Sequence, residues 1–216
     1  MMNFIEKKFV KYYLGSKDIR THIDAVHACP PNSDKFTGEI VEGMIDKINC
    51  SGIIATKSRT IIDLNRQRNE SNKEAIDEYR ITIRDILKHV GILNENEKLL
   101  KPYLHLAVHG MKDRINKDIE IGTSFGKSCS PEVKKWFEKE TKKHFRRVQI
   151  DGRFCGDPSK SVHRCGDKIS DPEYLGYGKN YNTIQIEISR TLREKHQEDI
   201  INIFCNIIKK FNKEFI

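Results

Sequence analysis

Apolar positions recur along the chain at two periods, and the points where the period changes mark its elements. In residues 4–14, Phe4, Ile5, Phe9, Val10 and Tyr13 share one helical face ahead of Gly15, predicting an amphipathic helix. IRTHIDAVHA (19–28) alternates and then turns apolar. It predicts a strand that stops at Pro30-Pro31, since proline cannot continue a sheet ladder. Ile40, Val41, Met44, Ile45 and Ile48 predict a helix over 39–48, and Ile76, Tyr79, Ile83, Ile86, Leu87 and Val90 a longer one stopped by Gly91. SGIIATKSRTIIDLNR (51–66) reads as one or two short strands, the second with Thr60, Ile61, Ile62 and Leu64 at its centre. KPYLHLAVHGM (101–111) is the clearest strand; 117–128, 148–151 and 182–189 follow as further extended segments. Helices are predicted over 131–144, with proline in the first turn, and over 197–211. Strands alternating with helices predict a single domain over residues 1–216, an α/β three-layer sandwich with a mixed, largely parallel sheet. The Gly-, Pro- and Asp-rich stretch 152–182 has no periodicity and predicts a long flap over a site.

The formal net charge of +8 raises nucleic acid as a partner. The lysines are dispersed, however, and the densest basic run, 134–147, contains Glu138 and Glu140 and is preceded by Glu132 at helical spacing, the pattern of a solvated helix face. The same field would draw small anions. Six cysteines without a CxxC, several in apolar surroundings, fit reduced thiols in a cytoplasmic protein. No apolar run approaches membrane-spanning length, and the N-terminus is charged too often for a signal peptide.

In an open α/β sheet, side chains at the carboxyl ends of strands meet in one crevice. His27 ends the first strand, Asn65 and Arg66 end SRTIIDLNR, and His109 ends the central one. Glu187 lies on the polar side of the buried strand TIQIEIS, an uncommon place for a carboxylate without a partner or a task. Two histidines and a carboxylate can hold Zn²⁺ with an open position. Arg59 and Arg66 offer guanidinium forks that match a carboxylate. Bland readings stand beside these: surface arginines, Asp63 as a turn cap, His27 as a satisfied strand-end histidine. His105 reads as a core or supporting residue, and His22, His89, His144 and His196 as surface or loop residues. Cys155 and Cys165 with His163 between them match no standard zinc spacing.

SRTIIDLNR, VHGMKDR with the following IEIGTS, and IQIEISR occur in the order of motifs in the N-formylglutamate amidohydrolase family. The chain resembles that family over roughly residues 20–193, and through it the zinc carboxypeptidases and aspartoacylase. The resemblance implies Zn²⁺ on His27, His109 and one acid, Glu187 as general acid/base, and Asn65 with Arg66 as the substrate-carboxylate site. It further implies that Arg59 polarises the scissile carbonyl or shares that clamp, and that Arg190 is a second anion contact. The implied substrate is a small anionic N-acyl amino acid; alternatives are a zinc exopeptidase or γ-glutamyl hydrolase acting on peptides, and a non-catalytic basic binding protein. Two departures stand out. Ala28-Cys29-Pro30-Pro31 replaces the family's Ser-Gly or Gly-Gly, so the acidic ligand is not set by spacing: Asp34, Glu39 and Glu42 are in range, and Glu39, at a helix mouth, is the expectation. Leu192-Arg193 stands where the family often has an aromatic residue.

Overall fold

A computed structural model describes residues 2–156 and 176–215. Among these residues the chain forms β1 (Ile5–Glu6), β2 (Val10–Tyr13), β3 (Thr21–Ala25), α1 (Thr37–Ile48), β4 (Ser51–Ala55), α2 (Lys73–Val90) and β5 (Tyr103–Met111). It continues with β6 (Ile119–Gly122), α3 (Pro131–Lys142), β7 (Val148–Ile150), β8 (Tyr181–Ser189), α4 (Arg190–Lys195) and α5 (Gln197–Glu214). The strands make one mixed sheet in the order β1-β2-β4-β3-β5-β8-β6-β7. Its centre, β4-β3-β5-β8, is parallel, whereas β1, β2 and β6 pair antiparallel with their inner neighbours. The predicted α/β sandwich is therefore the observed fold.

The alternation read along the central strands now has two owners. Leu104, Leu106, Val108, Ile184, Ile186 and Ile188 pack with α1, α3 and α5 in one core. Tyr103 and Tyr181, on the opposite face, pack with Ile76, Tyr79, Ile83 and Ile86 of α2 in the other. That second face carries a buried polar cluster as well. His105 Nε2 is 2.8 Å from Asp24 Oδ2, Tyr79 Oη donates to the same carboxylate, and the His22 ring stacks on His105 at 4.1 Å. His22 is fully buried and not at the surface, because its even position on β3 faces inward beside His105.

Two predicted elements differ. Residues 4–14 form the β1–β2 hairpin rather than a helix; β2 continues the sheet beyond β4, with backbone pairing in place of helical bonds. Residues 58–66 are turns rather than a strand. There Ser58 Oγ accepts from the Thr60 N–H and Asp63 Oδ1 from the Asn65 N–H, taking donors a ladder would need. Most of the expected flap, residues 157–175, and with it His163 and Cys165, lies outside the described residues.

Behind the sheet, Glu140 of α3 accepts from Lys143 and, across the helix pair, from Lys210 of α5 at 2.8 Å. The Lys143 and Lys210 hydrogen bonds hold its pKa down at about 2. A carboxylate depressed in the folded state contributes stability above its unfolded pKa of about 4.3 and loses it as pH falls. Wild type is therefore expected to be more stable than Glu140→Gln at pH 6, and the gap in urea midpoint to close between about pH 4.5 and 2. A constant gap across that range would contradict the assignment.

Candidate metal centre

Parallel packing of β3, β4, β5 and β8 brings their carboxyl ends to one edge, and three residues meet there: His27, Asp34 and His109. His27 lies two residues beyond β3, and His109 lies on β5 next to Glu187 of β8 in the register. Asp34 is brought back to them by the loop after Pro31. Its N–H donates to the His27 carbonyl at 2.8 Å, while its own carbonyl accepts from Thr37 at the start of α1. Asp34 Oδ2 is 3.5 Å from His27 Nδ1 and 3.4 Å from His109 Nδ1. All three side chains are buried, His27 at 4% and His109 at 2% exposure.

The partners around this trio fix its protonation. His27 Nε2 lies 2.8 Å from Asp63 Oδ1. An ionised carboxylate only accepts, so Nε2 carries a proton, and in the neutral ring Nδ1 keeps its lone pair. That Nδ1 is buried and has no hydrogen-bond partner. Asp34 Oδ1 is paired with the Arg59 guanidinium, and Oδ2 accepts from the Gly110 N–H at 3.0 Å. Burial pushes the Asp34 pKa up, but the two histidines outweigh it and hold the carboxyl far below the usual range. Burial likewise works to lower the His27 pKa, yet Asp34 and Asp63 together raise it. Asp63 sits at about 2, since the bond to His27 overcomes its burial. The pocket thus holds two imidazole nitrogens and one ionised carboxylate.

Zn²⁺ bonds of about 2.0–2.1 Å in tetrahedral geometry separate neighbouring donor atoms by about 3.3–3.4 Å. The two histidine–Asp34 separations of 3.4 and 3.5 Å are of that size. Together with the unpartnered His27 Nδ1 and the carboxylate-backed imidazole, this donor set fits a zinc ion. Asp63→Ala removes the acceptor that fixes the His27 tautomer and is expected to weaken zinc affinity on the order of 10- to 100-fold. Competition with a chromophoric chelator measures it, and an unchanged affinity would contradict the role.

The remaining sequence candidates fall around the trio. Glu39 is exposed in the first turn of α1, and Glu42 pairs with Lys11 at 2.8 Å; of the three acids in range, Asp34 joins the histidines. Glu187 is 5% exposed and accepts from Gln185 Nε2 at 2.7 Å. Its neighbour across the other ladder is the fully buried Glu120, itself paired with Lys117. Arg59 donates through Nε to the Asn32 carbonyl at 2.7 Å and through a terminal nitrogen to Asp34, so its fork holds the loop. Arg66 is exposed, 3.2 Å from Asp63 Oδ2, and lines a cleft of about 370 Å³ with Ile61, Ile62, Asp63 and Asn69. Asn65 is half-buried beside it. Arg190 is exposed, 3.4 Å from Glu194, and does not join the group.

Asp63 and Arg193 are the residues that sequence reading passed over. Asp63 serves both as the turn cap and as the partner of His27. Arg193 was visible only as a departure from the family pattern.

Neither a protein-family model nor a curated protein matches the sequence. Solved structures do match it in shape. N-formylglutamate amidohydrolase from Ralstonia eutropha JMP134 is 14% identical, with a TM-score of 0.63 over 95% of this chain and 98% of that one. A bacteriophage poly-gamma-glutamate hydrolase is 13% identical, with a TM-score of 0.53 over 95% and 89%. A metallo-carboxypeptidase from Burkholderia cenocepacia is 11% identical, with a TM-score of 0.54 over 98% and 65%. The chain therefore has the fold of N-formylglutamate amidohydrolase, which it holds in common with poly-gamma-glutamate hydrolase and metallo-carboxypeptidase.

Proposed function

We propose that the protein is a zinc-dependent amidohydrolase that cleaves the amide bond of a small N-acyl amino acid or related carboxylate. The observation that carries this reading is the trio of buried donor atoms on His27, Asp34 and His109, all within 4.8 Å of one another and with both imidazoles 3.4–3.5 Å from Asp34, beside Glu187 in register with His109. A solved N-formylglutamate amidohydrolase with the same fold supports the choice of amide chemistry.

Zinc held by His27, Asp34 and His109 would supply Lewis acidity and make water acidic enough to be a nucleophile near neutral pH. Glu187 accepts a proton from the attacking water and returns it to the departing amine. The Gln185 amide keeps one Glu187 oxygen in place, so the carboxylate meets the water without a rotamer search. Arg59, held against Asp34, is the guanidinium we assign to the developing oxyanion. Arg66, lining the neighbouring cleft, with Asn65 next to it in the chain, binds the substrate carboxylate.

Zinc-loaded protein offered a panel of N-acyl amino acids, the matching N-acyl amines and short γ-glutamyl peptides tests the reading. Release of free amino acid from the N-acyl amino acids, and little from amines that lack a carboxylate, is expected. Hydrolysis restricted to the peptides would replace the substrate class, and no hydrolysis of any of them would overturn the proposal.

A further inference from the structure

We infer that Arg193 is a positioning residue that sets the spacing of Asp34, His109 and Glu187 by clasping the backbone of all three segments from behind the sheet. The inference rests on the metal-dependent reading above. Arg193, in α4, is 5% exposed. Its Nε donates to the Ile188 carbonyl at 3.0 Å, one terminal nitrogen to the Met111 carbonyl at 3.1 Å, and the other to the Lys35 carbonyl. Ile188 follows Glu187, Met111 is two residues past His109, and Lys35 follows Asp34. One planar fork thus touches the segments that deliver Glu187, His109 and Asp34, while His27 is tied in through the Asp34 N–H.

Gly110 makes the clasp possible. A Cβ at that position would collide with the Arg193 guanidinium. The same residue's N–H donates to Asp34 Oδ2, so the backbone that the guanidinium packs against also orients the acid.

An arginine here is a costly way to fill space. A buried guanidinium must be desolvated, and among the described residues Arg193 forms no ion pair. Burial lowers its pKa, and Asp34, Glu187 and Asp113 pull it back up. An apolar side chain would pack more cheaply but could not reach three carbonyls lying in different directions. Lysine would keep the charge and lose the fork.

Zinc affinity tests the idea, measured by competition with a chromophoric chelator alongside thermal melting and steady-state kinetics on the most rapidly cleaved compound of the panel. Wild type is expected to take up about one zinc per chain. Arg193→Lys and, independently, Gly110→Ala are expected to bind it on the order of tenfold more weakly, with kcat falling and KM little changed. Ile208→Val, on the buried face of α5, should lower the melting temperature and leave zinc affinity unmoved. If wild type binds zinc and both variants bind it equally well, whatever their melting temperatures, the inference is overturned and the metal reading stands. If wild type binds none, the metal reading falls and the inference with it.

Discussion

Glu187→Gln is expected to remove turnover, by about 10²- to 10⁴-fold, and to leave zinc content unchanged. The substitution is nearly isosteric, so the Gln185 contact and the strand pairing with His109 and Glu120 are kept. What is lost is a group able to take a proton and give it back, because an amide does neither near neutral pH. Glu187 is separate from the trio that meets at the site, so metal binding has no reason to follow activity down. Elemental analysis and initial rates on one preparation separate the two. A variant with near wild-type rates would remove Glu187 from the chemistry, and one that loses its zinc would make it a ligand.

The second large effect is at Asp34. Asp34→Asn leaves two imidazoles without the carboxylate that lies within 3.5 Å of both. It also leaves Arg59 facing a neutral amide, and a positive charge beside a cation site repels the cation. Losing a supporting group typically costs 10- to 100-fold in metal affinity, so loss of the acid itself is expected to cost about 100-fold or more. Glu39→Gln is the matched control. Glu39 is exposed on α1, and its substitution should leave affinity where it was. The reverse pattern, zinc lost with Glu39 and kept without Asp34, would restore the acid that spacing alone suggested.

Why the sequence pointed to Glu39 and the fold to Asp34 is a question of chain path. After His27 the backbone takes a positive φ at Asn32. The loop turns back so that the Asp34 N–H reaches the His27 carbonyl, and residue counting cannot anticipate that reversal. The histidines needed no such path. Each sits at the end of a strand whose apolar run is plain in the sequence, and parallel pairing brings strand ends together.

The same distinction separates the elements read correctly from those missed. α1, α2 and α5 have long apolar stripes, and α2 carries Gly91 as its stop at φ 74°, so pattern and terminus agree. The N-terminal segment has the apolar content of a helix, and pairing of β2 with β4 decides it as a strand. SRTIIDLNR has a strand's apolar centre, yet Ser58 and Asp63 bind its own backbone, and Ile61 ends 72% exposed. Arg193 was unreadable for another reason: its three acceptors are backbone carbonyls, which no side-chain pattern records.

The central claim is that His27, Asp34 and His109 bind one cation together. X-ray absorption on protein loaded with one equivalent of zinc tests it most directly. Two imidazole nitrogens and carboxylate oxygen at about 2.0–2.2 Å are expected, with one imidazole contribution lost in His109→Ala. Sulfur ligation, or a zinc spectrum unchanged by that substitution, would contradict the claim.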